Sequence, residues 1–200
     1  MASNNLEKIC ILKSTGGCAI VLHSQTAQSP TVTADNEPSA ALIVAGTVVS
    51  RDFPVEINWV APRLAFGGMI GTPENMRIVA DAGITHVINL QDEFDDTALV
   101  GDTGISVHWQ KLGNDIDFST ATIEPALDFA RHALDGANNA LFVHCLAGRN
   151  RSAKITYAVL RLIGTPEVDA RERIKQAQPD AVLEDEMLRT LSDRIDRLRA

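Results

Sequence analysis

The stretch "ALFVHCLAGRNRSAKITYAVLRLIG" (140–164) constrains the fold more than any other. It begins with an apolar run, "ALFVHC", too hydrophobic for the edge of a sheet. A short loop with one glycine and two arginines follows, and then a helical pattern stopped by Gly164. A strand apolar on both faces must be covered on both, so 140–145 is expected at the centre of a layered α/β domain.

The neighbouring sequence keeps the same rhythm from about Asn58. "LAFGG" (64–68) and "THVINL" (85–90) are β-rich runs. Between them "TPENMRIVADAG" offers Thr72 as N-cap, Pro73 at the first helical position and Gly83 as the stop. "ISVHWQKL" (105–112) is expected as a further strand, with Val107 and Trp109 on one face and His108 on the other. In "ATIEPALDFARHAL" (121–134), Ile123, Ala126, Leu127, Ala130 and Leu134 recur at helical spacing. "TPEVDARERIKQAQ" (165–178) is expected to start with Thr165 as N-cap and Pro166 at the first position, with Pro179 beyond its end. The last segment, "LEDEMLRTLSDRIDRLRA", places acid early and arginine late, as a helix dipole favours. The fold class expected is α/β, a central mixed sheet flanked by helices on both faces.

The first fifty residues differ. "ICILK" and "CAIVLHS" read as two short strands joined at "STGG", 24–40 as a Pro-punctuated linker, and "ALIVAGTVV" (41–49) as one strand or a packing segment. The domain boundaries expected are an extension over 1–54, to which no role is assigned, and a catalytic domain over 55–200.

Composition limits the function. A formal net charge of −8 argues against a protein that coats nucleic acid by bulk charge, and no nucleic-acid partner is expected. Cys10, Cys18 and Cys145 are scattered and form no CxxC pair, which suggests neither a disulfide framework nor a tetrahedral zinc site and fits a reducing compartment. No apolar run suits a signal peptide or a membrane span, so a cytoplasmic protein is expected; its oligomeric state is left open.

The loop after Cys145 carries the chemistry. Where a central strand ends, a five-residue loop turns and Arg151-Ser152 opens a helix, the loop amides and the helix N-terminus converge on a site for a phosphate-sized anion. Gly148 permits a turn that a Cβ would obstruct. The same field stabilises a thiolate, which makes Cys145 a nucleophile at neutral pH. Arg151 can offer its planar fork to two phosphoryl oxygens.

"HCLAGRNRS" resembles the HCxxGxxR[ST] signature of the cysteine-dependent protein phosphatases, and residues 58–190 resemble their dual-specificity branch. The resemblance implies a dual-specificity-like fold and a phosphate-binding loop of Leu146, Ala147, Gly148, Arg149, Asn150 and Arg151. Cys145 would be the nucleophile and Arg151 the phosphate ligand. Ser152 would assist the departing thiolate, and His144 would help stabilise it. It implies hydrolysis of phosphotyrosine and phosphoserine or phosphothreonine in a phosphoprotein partner, without cofactor or metal. The alternatives within the superfamily are a phosphoinositide or RNA 5′-phosphatase, and outside it a phosphate-binding module without turnover.

The family's general acid is an aspartate on a loop before the cysteine. "LGNDIDFS" supplies Asp115 and Asp117; the "GND" setting of Asp115 is closer to the family's loop, and Asp117 is the alternative. Arg149 would either add charge to the pocket or face solvent, and Asn150 would either bond a nearby loop or cap the helix. "QDEFDD" (91–96) is expected as a solvated surface turn.

Overall fold

The computed structural model describes residues 54–199 and, within 1–53, four strands: β1 (Lys8–Leu12), β2 (Cys18–Leu22), β3 (Leu42–Val44) and β4 (Thr47–Val49). The chain divides into two compact units, Met1–Phe53 and Pro54–Ala200. In the first, the strands form an antiparallel sheet in the order β1-β2-β4-β3. The run at 41–49 is therefore two strands rather than one. Val44 pairs with Thr47 in the antiparallel register. Residues 24–40, read as a linker, lie outside the described residues.

The second unit contains β5 (Ile57–Ala61), β6 (Leu64–Gly67), α1 (Pro73–Asp81), β7 (His86–Asn89), β8 (Ser106–Trp109) and α2 (Glu124–Asp135). These are followed by β9 (Leu141–His144), α3 (Arg151–Leu162), α4 (Glu167–Ala177) and α5 (Asp185–Arg199). Its sheet runs β5-β6-β9-β7-β8, with β5 antiparallel to β6 and the other pairs parallel, so β9 is central and the sheet is mixed. The two-residue side-chain period divides the strands between two cores. Leu64, Phe66, Ile88, Leu141 and Val143 face α2, α3 and α5 in the larger core, and Ala65, Val87 and Phe142 face α1 across the other side.

Thr72 caps α1 by accepting the Asn75 N–H, with Pro73 beside it as expected. The start of α4 is one residue later than expected. Thr165 donates its N–H to Leu160 O, and its carbonyl accepts from Arg161 Nη1, so it completes the end of α3 beyond Gly164 (φ 94°). Pro166, extended at ψ 151°, becomes the N-cap, and its carbonyl accepts the first helical N–H, from Ala170. No helix among the described residues is long and apolar enough to cross a membrane.

Gly67 ends β6 where the backbone of β5 passes closest: a Cβ there would lie 1.8 Å from Glu56 O. At Gly68 the nearest atom would be 3.4 Å away, an ordinary contact. Gly67→Ala is expected to destabilise by about 1–3 kcal/mol in chemical denaturation, and Gly68→Ala by about 0.5 kcal/mol or less.

Candidate active site

The site is assembled where three parallel strands finish. Cys145 follows β9 and is buried, with its Sγ 3.3 Å from the buried Ser152 Oγ in the first turn of α3, a distance over which the hydroxyl can donate to a thiolate. The loop between them rests on the end of β6. Cys145 N–H donates to Gly67 O, Met69 N–H donates to Leu146 O, and Gly68 bridges Ala147. Gly148 is required twice over. Its φ of 70° is left-handed, and a Cβ would lie 2.6 Å from Gly67 C and Gly68 N.

Arg151 does not extend into solvent; it is 2% exposed. Its Nη1 donates to Leu112 O (2.7 Å), Asp92 Oδ1 (3.0 Å) and Glu93 Oε2 (3.2 Å), and its Nη2 to Glu93 Oε1 (3.1 Å). The Nε–H is buried and has no partner among the described residues. Burial alone would lower the guanidinium's proton affinity. The hydrogen bonds donated to Glu93 and electrostatic attraction from the neighbouring Cys145, Glu93 and Asp92 outweigh it and raise the pKa.

The acidic run 91–96 is therefore not a solvated turn. Asp92 and Glu93 hold Arg151. Asp95 accepts the Thr97 N–H and opens a 3₁₀ turn over Asp96–Leu99. Asp96 is fully buried, with Oδ2 2.7 Å from His144 Nε2, although the ring N–H does not point along that line. His144 lies on the α1 side of the sheet, stacked on Phe142 at 5.7 Å, while Cys145 belongs to the opposite core. The signal for these partners was positional. "QDEFDD" begins at the C-terminal end of β7, whose Asn89 pairs with His144, and ligands of open α/β sheets bind at such ends.

The two candidate acids behave differently. Asp117 Oδ1 accepts the Ser119 N–H (2.8 Å), and its Oδ2 accepts from Thr120 Oγ1 (3.3 Å). Bonds from Ser119 foremost, with that from Thr120, lower its pKa. Asp115 is exposed on a segment held against the loop, because Asn150 Nδ2 donates to Asn114 O (3.2 Å). Asn150 stands at the N-cap position of α3 but makes no side-chain capping bond, so its side chain serves the loop contact. Carboxylate oxygens of Asp115 and Asp92 both approach Gly113, at 3.1 and 3.9 Å from where its Cβ would stand. Arg149 does not extend freely into water: Nη2 is 3.7 Å from Asp180 Oδ2, and its carbonyl accepts the Val182 N–H (2.7 Å).

No protein-family model matches the chain, and no curated protein matches it by sequence. Solved structures do. Human DUSP28 superposes with a TM-score of 0.58 at 24% identity, over 74% of this chain and 96% of its own. The chain has the dual-specificity phosphatase fold. Tk-PTP in its active form gives a TM-score of 0.58 at 21% identity, over 70% of this chain and 97% of its own. PTPMT1, a structure of which is known in complex with PI(5)P, gives 0.60 at 18%, over 72% and 96%. The expectation of a mixed sheet with helices on both faces, in a dual-specificity-like fold, is met.

The Arg151 clamp generates a prediction. Glu93 is 17% exposed and bonds both terminal nitrogens, whereas Asp92 is 48% exposed and bonds one. Glu93→Gln should cost about 1–3 kcal/mol in thermal or chemical unfolding, and Asp92→Asn about 1 kcal/mol or less. The Asp92 pKa is lowered although burial, the largest influence, raises it; bonds from Glu93, its own backbone and Arg151 prevail. Its contribution is thus complete above the ordinary value of 3.8 and lost as pH falls through the lower folded value. The difference between wild type and Asp92→Asn should vanish only at more acidic pH than that.

Proposed function

We propose that the protein is a cysteine-dependent phosphatase that hydrolyses phosphotyrosine and phosphoserine or phosphothreonine in proteins, with residues 55–200 as its catalytic domain and the cytoplasm as its location. The observation that carries this reading is the buried Cys145–Ser152 pair, 3.3 Å apart, at the mouth of a loop whose arginine is clamped by carboxylates and keeps Nε–H unpartnered among the described residues.

The Cys145 thiolate attacks phosphorus, the bond to the ester oxygen breaks, and that oxygen takes a proton from the Asp115 carboxyl. Arg151 and the loop amides hold the non-bridging oxygens. Water then attacks the phosphocysteine and gives its proton to Asp115. The sulfur departs as a thiolate that accepts the Ser152 hydroxyl hydrogen bond, and inorganic phosphate leaves. Asp115 is favoured over Asp117 because a carboxyl whose own turn stabilises its ionised form has little proton to give at neutral pH. Every step uses side chains of this chain.

Hydrolysis of a small aryl phosphate from pH 5 to 8 tests the reading. Wild type should release phosphate, and Cys145→Ser should lose about 10³-fold or more in kcat/KM. Asp115→Asn should lose about 10²-fold together with the basic limb of the pH profile, and Asp117→Asn should keep both. A wild-type protein that binds vanadate but releases no phosphate would instead be a phosphate-binding module. Loss of the basic limb in Asp117→Asn alone would transfer the acid's role to that residue.

A further inference from the structure

We propose that the rim of the phosphate loop selects phosphopeptides with basic residues beside the phosphorylated one; this rests on the phosphatase reading above and names its substrate class. The cations of the loop and of the following helical turn are all engaged by carboxylates. Arg149 faces Asp180, Arg151 is held by Asp92 and Glu93, and Lys154, almost fully buried, bonds Glu184 at 2.9 Å. Two more carboxylates, Asp115 and Asp117, are exposed on the segment that Asn150 holds against the loop, and neither pairs with a cation among the described residues.

The opposite wall adds no net positive charge, since Asp180 offsets Arg149. Residues 179–184 are fastened beside the loop by the Val182 N–H on Arg149 O and by Lys175 Nζ, which donates to the carbonyls of Pro179 and Ala181. That use of Lys175 directs its donors to main chain. The wall presents Asp180, 52% exposed, and the apolar Val182, 41% exposed.

One phosphoryl group is therefore received by Arg151 and the loop, beside which the unpaired exposed carboxylates are Asp115 and Asp117, while Asp180 offsets Arg149. Among the cations of the loop and the first turn of α3, a second phosphate meets none free of a carboxylate, while the unpaired carboxylates of Asp115 and Asp117 stand on the segment that Asn150 holds against the loop; such charges act within a Debye length. An arginine or lysine in the same place meets the complementary field. The arrangement disfavours polyphosphorylated inositides and acidic peptides and favours a monophosphate carried by a basic segment.

The test uses the full chain with Cys145→Ser, which binds without turnover, and two labelled phosphotyrosine peptides that differ only in carrying arginine or glutamate on both sides of the phosphoresidue. Fluorescence anisotropy at low ionic strength should show the arginine-flanked peptide bound about tenfold tighter. The ratio should fall toward unity as salt rises, and adding Asp180→Lys should reduce it about threefold. Equal affinities, preference for glutamate, a salt-independent ratio, no binding of either peptide, or tighter binding to phosphatidylcholine vesicles containing a phosphoinositide bisphosphate would each overturn the inference. Failure of the phosphatase reading is separately visible, as a wild-type protein that releases no phosphate from a small aryl phosphate.

Discussion

A buried guanidinium must find counter-charges and acceptors or it will not stay buried, and Arg151 finds them on segments that follow two other strands. Asp92 and Glu93 come after β7, Leu112 O comes after β8, and Arg151 itself follows the loop after β9. One side chain thus ties together the C-terminal ends of three parallel strands. The clamp also sets the arginine's orientation: Glu93 takes a hydrogen bond from each terminal nitrogen, and Nε–H has no partner among the described residues. The cost of a ligand ordering a long flexible side chain has in this way been met by folding.

The rest of the site is tied to that arrangement by close backbone packing and by side-chain bonds to main-chain carbonyls. Gly148 can turn with φ 70° against the backbone of Gly67 and Gly68 only because it carries no Cβ. The carbonyl of Leu112 that binds Arg151 begins the segment bearing Asp115, and Asn150, next to Arg151 in sequence, bonds the same segment at Asn114. The candidate acid and the candidate phosphate ligand are therefore linked by two short bonds. Movement of the 113–118 segment would be felt at the loop.

Periodicity and punctuation revealed most of this fold. The apolar run "ALFVHC" announced the central strand, and Thr72-Pro73 marked the start of α1. The Cys145-to-Ser152 spacing marked the loop because strand, turn glycine and helix start are all local. What was hidden is non-local. "QDEFDD" has the composition of a solvated turn, and nothing within six residues says that two of its carboxylates meet an arginine nearly sixty positions later or that Asp96 meets His144. Only the order of strands in the sheet, which places β7 beside β9, brings them together. Thr165 was misjudged for a related reason: its bonds run back to α3 rather than forward to α4.

The central claim is that phosphate passes through Cys145. Rapid acid quench of the Asp115→Asn protein turning over an aryl phosphate, followed by mass spectrometry of its peptides, tests this directly, since removal of the residue that activates water should let the intermediate accumulate. The account predicts one phosphoryl group on the peptide bearing Cys145, acid-stable and absent from Cys145→Ser. Phosphate release with label on another residue, or the same label in Cys145→Ser, would contradict it.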